Sequence, residues 1–158
     1  MNDANSAART KNSKVIKAPR DALYRSFTEP AALAVWLAPG EMTGKVHDFD
    51  ARVGGGYRMS LFYPASEQTA RGKTAEREDR FTSRFVELTP RSRIVQAITF
   101  DTDDPAFSGE MTMDVTLEER DGSTEVTIVF EHIPPGIRPE DNELGTELSL
   151  EKLARYVE

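Results

Sequence analysis

Three consecutive glycines, Gly54–Gly56, separate a segment ending at Phe49-Asp50 from one in which alternate residues are apolar. Glycine reaches backbone angles closed to residues with a Cβ, so a run of three marks a bend. Beyond it Tyr57, Met59, Leu61 and Tyr63 share one side of an extended segment, with Arg58, Ser60 and Phe62 on the other. That period of two predicts a strand with one buried face, entered through a tight turn or bulge. A phosphate cradle is the rival reading of a glycine run. Such a loop leads into a helix whose amides point at the anion, and no helical pattern follows here.

Upstream, Ser13–Lys17 reads as a short first strand. Pro19 sits where a first helical turn tolerates it, and Ala22, Leu23 and Phe27 share a helical face. Glu29-Pro30 starts a second short helix carrying Leu33, Trp36 and Leu37, which Pro39-Gly40 ends. Met42–Asp50 is a candidate strand.

Downstream, Pro64–Asp79 is polar and without apolar period, a long hairpin loop. Phe81–Leu88 and Ile94–Phe100 read as strands joined by a turn at Thr89-Pro90-Arg91, and an aspartate-rich turn, Asp101–Pro105, follows. Met111–Leu117 alternates, and Asp121-Gly122 is a strong two-residue hairpin signal before a strand with Val126, Ile128 and Phe130 on one face. After Pro134-Pro135-Gly136, Pro139–Glu158 reads as the longest helix. Its acidic start suits the helix dipole, and Leu144, Leu148, Leu150, Leu153 and Val157 form its apolar side, with Gly145 a weak point.

Strand, two short helices, about six antiparallel strands and a long C-terminal helix make an α+β domain, with the last helix covering the apolar face of the sheet. The 158 residues are enough for one such domain at 13–158, after a polar leader, 1–12, expected to be disordered. A formal net charge of −7 with no basic block argues against nucleic acid and anionic lipid as partners. No apolar run approaches the roughly 20 residues of a membrane span, and the N-terminus lacks a signal-peptide core. The absence of cysteine excludes disulfides and thiol chemistry and suits a cytoplasmic location.

The chain resembles the helix-grip fold of the START/Bet v-like superfamily. Within it, it is similar to the activator of heat-shock-protein-90 ATPase homologue-like branch of SRPBCC domains. Ile16-Lys17-Ala18-Pro19, Phe27-Thr28-Glu29-Pro30, Trp36 with Pro39-Gly40, Arg52–Arg58, Phe85–Pro90 with Arg93-Ile94-Val95, and Ser149–Leu153 carry the likeness over residues 13–158. The resemblance implies a curved antiparallel sheet of about six to seven strands wrapped around the C-terminal helix, with a ligand cavity between them. The family commonly has an aromatic pair where this chain has Trp36-Leu37, and Gly-Trp where it has Gly145-Thr146. Both departures fall on the expected cavity wall.

The residues expected to line that cavity are Trp36 on the second helix, Tyr57, Met59 and Leu61 after the glycine run, Met111, Met113 and Val115, and Ile128 and Phe130. The plainer reading of each is core; flexible methionines suit an irregular apolar ligand. His47 and His132 have no partners at zinc-ligand spacing, so no metal or other cofactor is expected. Glu131 and His132 point to opposite faces of a strand and form no dyad unless the strand bulges there. Glu87, Asp114 and Glu131 are the paper candidates for a buried acid, each read first as a solvated strand residue; no catalytic residue is assigned. The expectation is a binder of a hydrophobic small molecule, monomeric or weakly dimeric. The alternatives are an enzyme on the same scaffold, cyclase- or hydrolase-like, acting on an aromatic or polyketide-like substrate, or a chaperone-interaction module.

Overall fold

A computed structural model describes residues 8–64 and 78–158, and within them the period of two becomes seven strands. In chain order the elements are β1 (Ala8–Ile16), α1 (Arg20–Thr28), α2 (Pro30–Trp36), β2 (Thr43–Asp50), β3 (Gly56–Phe62), β4 (Glu78–Thr89), β5 (Arg93–Phe100), a 3-10 turn at Pro105–Phe107, β6 (Met111–Arg120), β7 (Ser123–Ile133) and α3 (Pro139–Val157). All neighbouring strands are antiparallel, in the order β1-β7-β6-β5-β4-β3-β2. This is the α+β helix-grip architecture with its curved sheet.

Turn chemistry sets the register. Asp121 and Gly122 have φ of 51° and 86°, the paired positive angles of a type I′ turn, and place Arg120 opposite Ser123. The Ser92 amide donates to the Thr89 carbonyl at 3.0 Å across Pro90-Arg91, with Arg91 at φ 66° where a type II turn favours glycine. The glycine run is a turn as expected: the Gly54 amide donates to the Phe85 carbonyl and the Phe85 amide to the Gly55 carbonyl, each at 2.9 Å. A Cβ on Gly56 would run into the Ser83 carbonyl oxygen on β4, so this position must be glycine.

Three expectations need correction. Residues 8–12, assigned to a disordered leader, are the first half of β1 and pair with β7; residues 1–7 lie outside the described residues. Polarity hid this strand because its inward positions meet polar partners. Thr10 Oγ1 donates to Asn142 Oδ1 at 2.6 Å and Asn12 Nδ2 to the Glu143 carbonyl at 3.1 Å, both on α3. Glu78 and Asp79 belong to β4 rather than to the loop before it, of which residues 65–77 lie outside the described residues.

The third correction concerns α3, which does not cover the sheet alone. It packs mainly on β1 and on α2, while α1 lies over β5, β6 and β7 and α2 over β2. A helix about 10 Å wide cannot shield seven strands spaced about 4.8 Å apart. Its buried positions are Thr146, Ser149, Leu150, Leu153 and Ala154. Leu144 falls on the opposite side and is exposed, and Leu148 is half-buried near Gly40. Ser149 Oγ donates to the Leu37 carbonyl at 2.7 Å, and Lys152 Nζ to the carbonyls of Ala38 and Met42, tying α3 to the loop after α2. Burial beside Arg155 lowers the Lys152 ammonium below its usual range, burial being the larger cause.

Candidate functional site

The inward face of the sheet is continuous and almost wholly apolar. One row crosses it from Phe85 to Gln96, Met113, Phe130 and Thr10, and the next from Leu88 to Ile94, Val115, Ile128 and Asn12. Over β2–β5 the face is aromatic. Phe49 stacks on Tyr57 with centroids 5.3 Å apart, Phe85 and Phe81 lie 5.8 and 6.2 Å from Tyr57, and Phe100 lies 6.4 Å from Phe81.

Within the aromatic part of this wall lies a polar cluster. The register sets Tyr57 opposite Ser83, with Gln96 beside them on β5. The Tyr57 hydroxyl donates to Gln96 Oε1 at 2.7 Å and Ser83 Oγ donates to the same oxygen at 2.6 Å. All three side chains are buried, Gln96 at 0% exposure. The second end of the amide, Gln96 Nε2, is buried and has no hydrogen-bond partner. Turning the amide over would let Nε2 donate to both hydroxyl oxygens but would leave the carbonyl oxygen in the unpartnered place, so in either orientation one end of the buried amide is unmet. An unmet buried donor costs about 1–3 kcal/mol, which a leucine at this position would avoid. Burial pushes the Tyr57 phenol well above its usual value, only partly opposed by Ser83, so Tyr57 remains a neutral donor. Among the described residues no carboxylate or imidazole bonds to any of the three. At the end of β4, buried Asp79 accepts from the Tyr63 hydroxyl at 3.1 Å.

Eight of the nine residues expected to line a cavity lie on this inward face. Met111, Met113, Val115, Ile128 and Phe130 are contiguous across β6 and β7. Tyr57, Met59 and Leu61 stand apart on β3, with two strands between. What joins the sets is Phe81, Ser83 and Phe85 on β4 and Ile94, Gln96 and Ile98 on β5, none of them singled out from sequence. The available signal was a polar residue at an inward position of an alternating strand, Ser83 between two phenylalanines and Gln96 between two isoleucines. The ninth residue, Trp36, is buried between α1 and α2. Its Nε1–H donates to the Ser26 carbonyl at 2.8 Å and its ring meets the edge of Phe27, centroids 4.8 Å apart.

The charged candidates all lie on the outer face. Arg93 bonds Asp114 at 2.6 Å and lies 3.6 Å from Glu87. β7 does bulge at Glu131-His132: two of its residues oppose the single Arg9 of β1, and His132 has φ 60°. The bulge supplies the geometry a dyad needs, yet Glu131 faces outward to Arg9, 3.4 Å away, and His132 is exposed. His47 Nε2 lies 2.8 Å from Ser60 Oγ, which donates to Glu78 Oε2 at 2.6 Å. That order commits the serine proton to the carboxylate, and Ser60 is buried, so no activated nucleophile results.

Two of the depressions that open on the surface among the described residues lie away from the space between sheet and α3. One, about 380 Å³, lies on the outer face among Arg58, Arg80, Arg84 and Thr82. Its three arginines pair with Asp48, with Glu78 and Asp101, and with Glu110 respectively, leaving little net field for an anion. The other, about 220 Å³, lies by the start of α1 among Pro19, Asp21, Arg91 and Thr124. Among the described residues no three His, Asp or Glu side chains are placed to hold a metal, and no helix is long and apolar enough to cross a membrane.

The sequence model for the family described as "Activator of Hsp90 ATPase homolog 1-like protein" matches residues 17–158. No curated protein matches the chain. Among solved structures, protein CV1439 from Chromobacterium violaceum is 36% identical, with 94% of this chain and 96% of that one covered and a TM-score of 0.83. A Rhodobacter sphaeroides protein is 21% identical, with 96% and 92% covered and a TM-score of 0.75. DynU16, described as a putative protein in the dynemicin biosynthetic locus, is 19% identical with a TM-score of 0.63. It aligns with 94% of this chain, which spans 46% of that longer one. The last two likenesses speak for the fold alone.

Proposed function

The chain belongs to the activator of Hsp90 ATPase homolog 1-like family, and on that premise we propose that it binds a hydrophobic or amphipathic small molecule between the inward face of the sheet and its helices. The observation that carries this reading is the unpartnered Nε2 of Gln96, buried in the aromatic and aliphatic middle of the inward face. A domain of this size is stable by only about 5–15 kcal/mol, so an unmet buried donor is a cost to be explained. A ligand offering an acceptor reduces it. The expected wall residues Tyr57, Met59, Leu61, Met111, Met113, Val115, Ile128 and Phe130 supply apolar contact. Met59, Met111 and Met113, unbranched and flexible, are the side chains that make room by changing rotamer.

Catalysis is the weaker reading, because the cluster holds two hydroxyls and an amide with no base to move a proton. The family description also raises contact with a chaperone ATPase; a pull-down at micromolar concentration without binding disposes of it. The binding reading is tested by native mass spectrometry of the protein purified from its own host. A co-purifying mass that leaves on denaturation supports it; ligand-free protein that also fails to take up neutral hydrophobic probes overturns it.

A further inference from the structure

We propose that Gln96 selects the ligand by its chemistry: its Nε2 donates to a neutral acceptor, a ketone or ester carbonyl, on an apolar ring-bearing molecule. This rests on the binding reading above and names the ligand class for the same site.

Three observations fix the polarity of the missing partner. Gln96 Oε1 already accepts from Tyr57 and Ser83, which fills both lone pairs, while Nε2 carries two unused protons. With the amide in this orientation the partner is an acceptor. It is neutral, because among the described residues no cationic side chain bonds to the cluster, and burial holds even the Tyr57 phenol in its uncharged form. It is part of a larger apolar body rather than a lone water, since a buried water needs two to four polar partners. The residues directly opposite Gln96 across the strands are Phe85 and Met113. Tyr57, Phe81 and Phe85 beside it offer ring faces and edges for the body of the ligand.

Tyr57 and Ser83 are positioning residues here. Two donors on one carbonyl oxygen stop the amide from turning and keep Nε2 aimed at the same point.

The probes are the neutral naphthyl ketone Prodan and 2-(dimethylamino)naphthalene, which keeps the ring and amine but lacks the acyl group. Both are titrated by fluorescence into wild-type protein, Gln96→Leu and Gln96→Met, with folding of each variant checked by circular dichroism. The two variants guard against one of them misfolding. Wild-type protein is expected to bind the ketone at least tenfold more tightly than the des-acyl probe, and both variants to lose that preference. In infrared difference spectra the ketone stretch shifts to lower frequency on wild-type protein and not on the variants, a change that a merely structural Gln96 would not produce. Equal binding of both probes by wild-type protein, or a preference that survives in the variants, overturns the role of Gln96 while leaving a hydrophobic site. Binding of neither probe overturns the site and this role together.

Discussion

Replacing the whole buried cluster by apolar residues should make this protein more stable, because the cluster is incomplete. The perturbation is Tyr57→Phe with Ser83→Ala and Gln96→Leu. In the native chain the two hydroxyls are satisfied through Gln96 Oε1, whereas Nε2 at 0% exposure is not. The two hydrogen bonds contribute about 0.5–1.5 kcal/mol each and the unmet donor costs about 1–3 kcal/mol. The triple variant gives up the bonds together with the desolvation of every group that made them, and gains a leucine side chain worth roughly 1.5–3 kcal/mol of burial. The expected net is a gain of about 1–3 kcal/mol. Gln96→Leu alone should fall short of this, since it strands two hydroxyls whose only remaining partner is each other. Urea unfolding followed by Trp36 fluorescence reads the difference, Trp36 being the only tryptophan and fully buried. For a chain of this length the shift is roughly 2–4 °C in melting temperature per kcal/mol. A triple variant less stable than wild type by 1 kcal/mol or more would refute the reasoning, for it would mean the amide is already satisfied in the folded protein.

Gly56→Ala should destabilise by about 2–6 kcal/mol, since the new Cβ meets backbone atoms of Ser83 and Arg84 in a strand that cannot yield without breaking its ladder; thermal melting measures it. Arg91→Gly should stabilise by about 0.5–1 kcal/mol, because relief of a left-handed residue outweighs the added chain entropy and the exposed pair with Asp21 contributes little. The Ser60 hydroxyl, the largest cause, holds the Glu78 carboxyl below its ordinary 4.5, with Arg80 and His47 adding to the effect and burial opposing it. A lowered folded value stabilises above the unfolded value and is lost as pH falls through the folded one, so wild-type stability drops below about pH 4.5. Ser60→Ala should flatten that drop in acid denaturation while lowering stability at neutral pH; an unchanged acid limb would refute the assignment.

The fold was legible because its signals are local. Alternation from Tyr57 to Tyr63 and from Met111 to Leu117, and the positive angles that Asp121-Gly122 accepts, are each read within a few residues. β1 was legible only in its second half, where Val15 and Ile16 bring apolar character. Its first half is defined by partners on β7 and α3 more than 110 residues away. The reach of α3 was misjudged for a similar reason. A leucine count ranks Leu144 with Leu150, whereas helical phase sets them on opposite sides.

The candidate site was legible as a wall and hidden as a centre. Tyr57 reads as one more ring in an apolar row until register sets it against Ser83 and beside Gln96, 26 and 39 residues later. Taken singly, Ser83 and Gln96 look like interruptions of their strands. Together they break the apolar run at the middle of the inward face, and among the described residues Gln96 Nε2 finds no partner inside the chain. A polar pair that satisfied itself would point to structural specificity. One that leaves a donor open in a region where any aliphatic residue would serve the fold better is the ground on which the ligand is proposed.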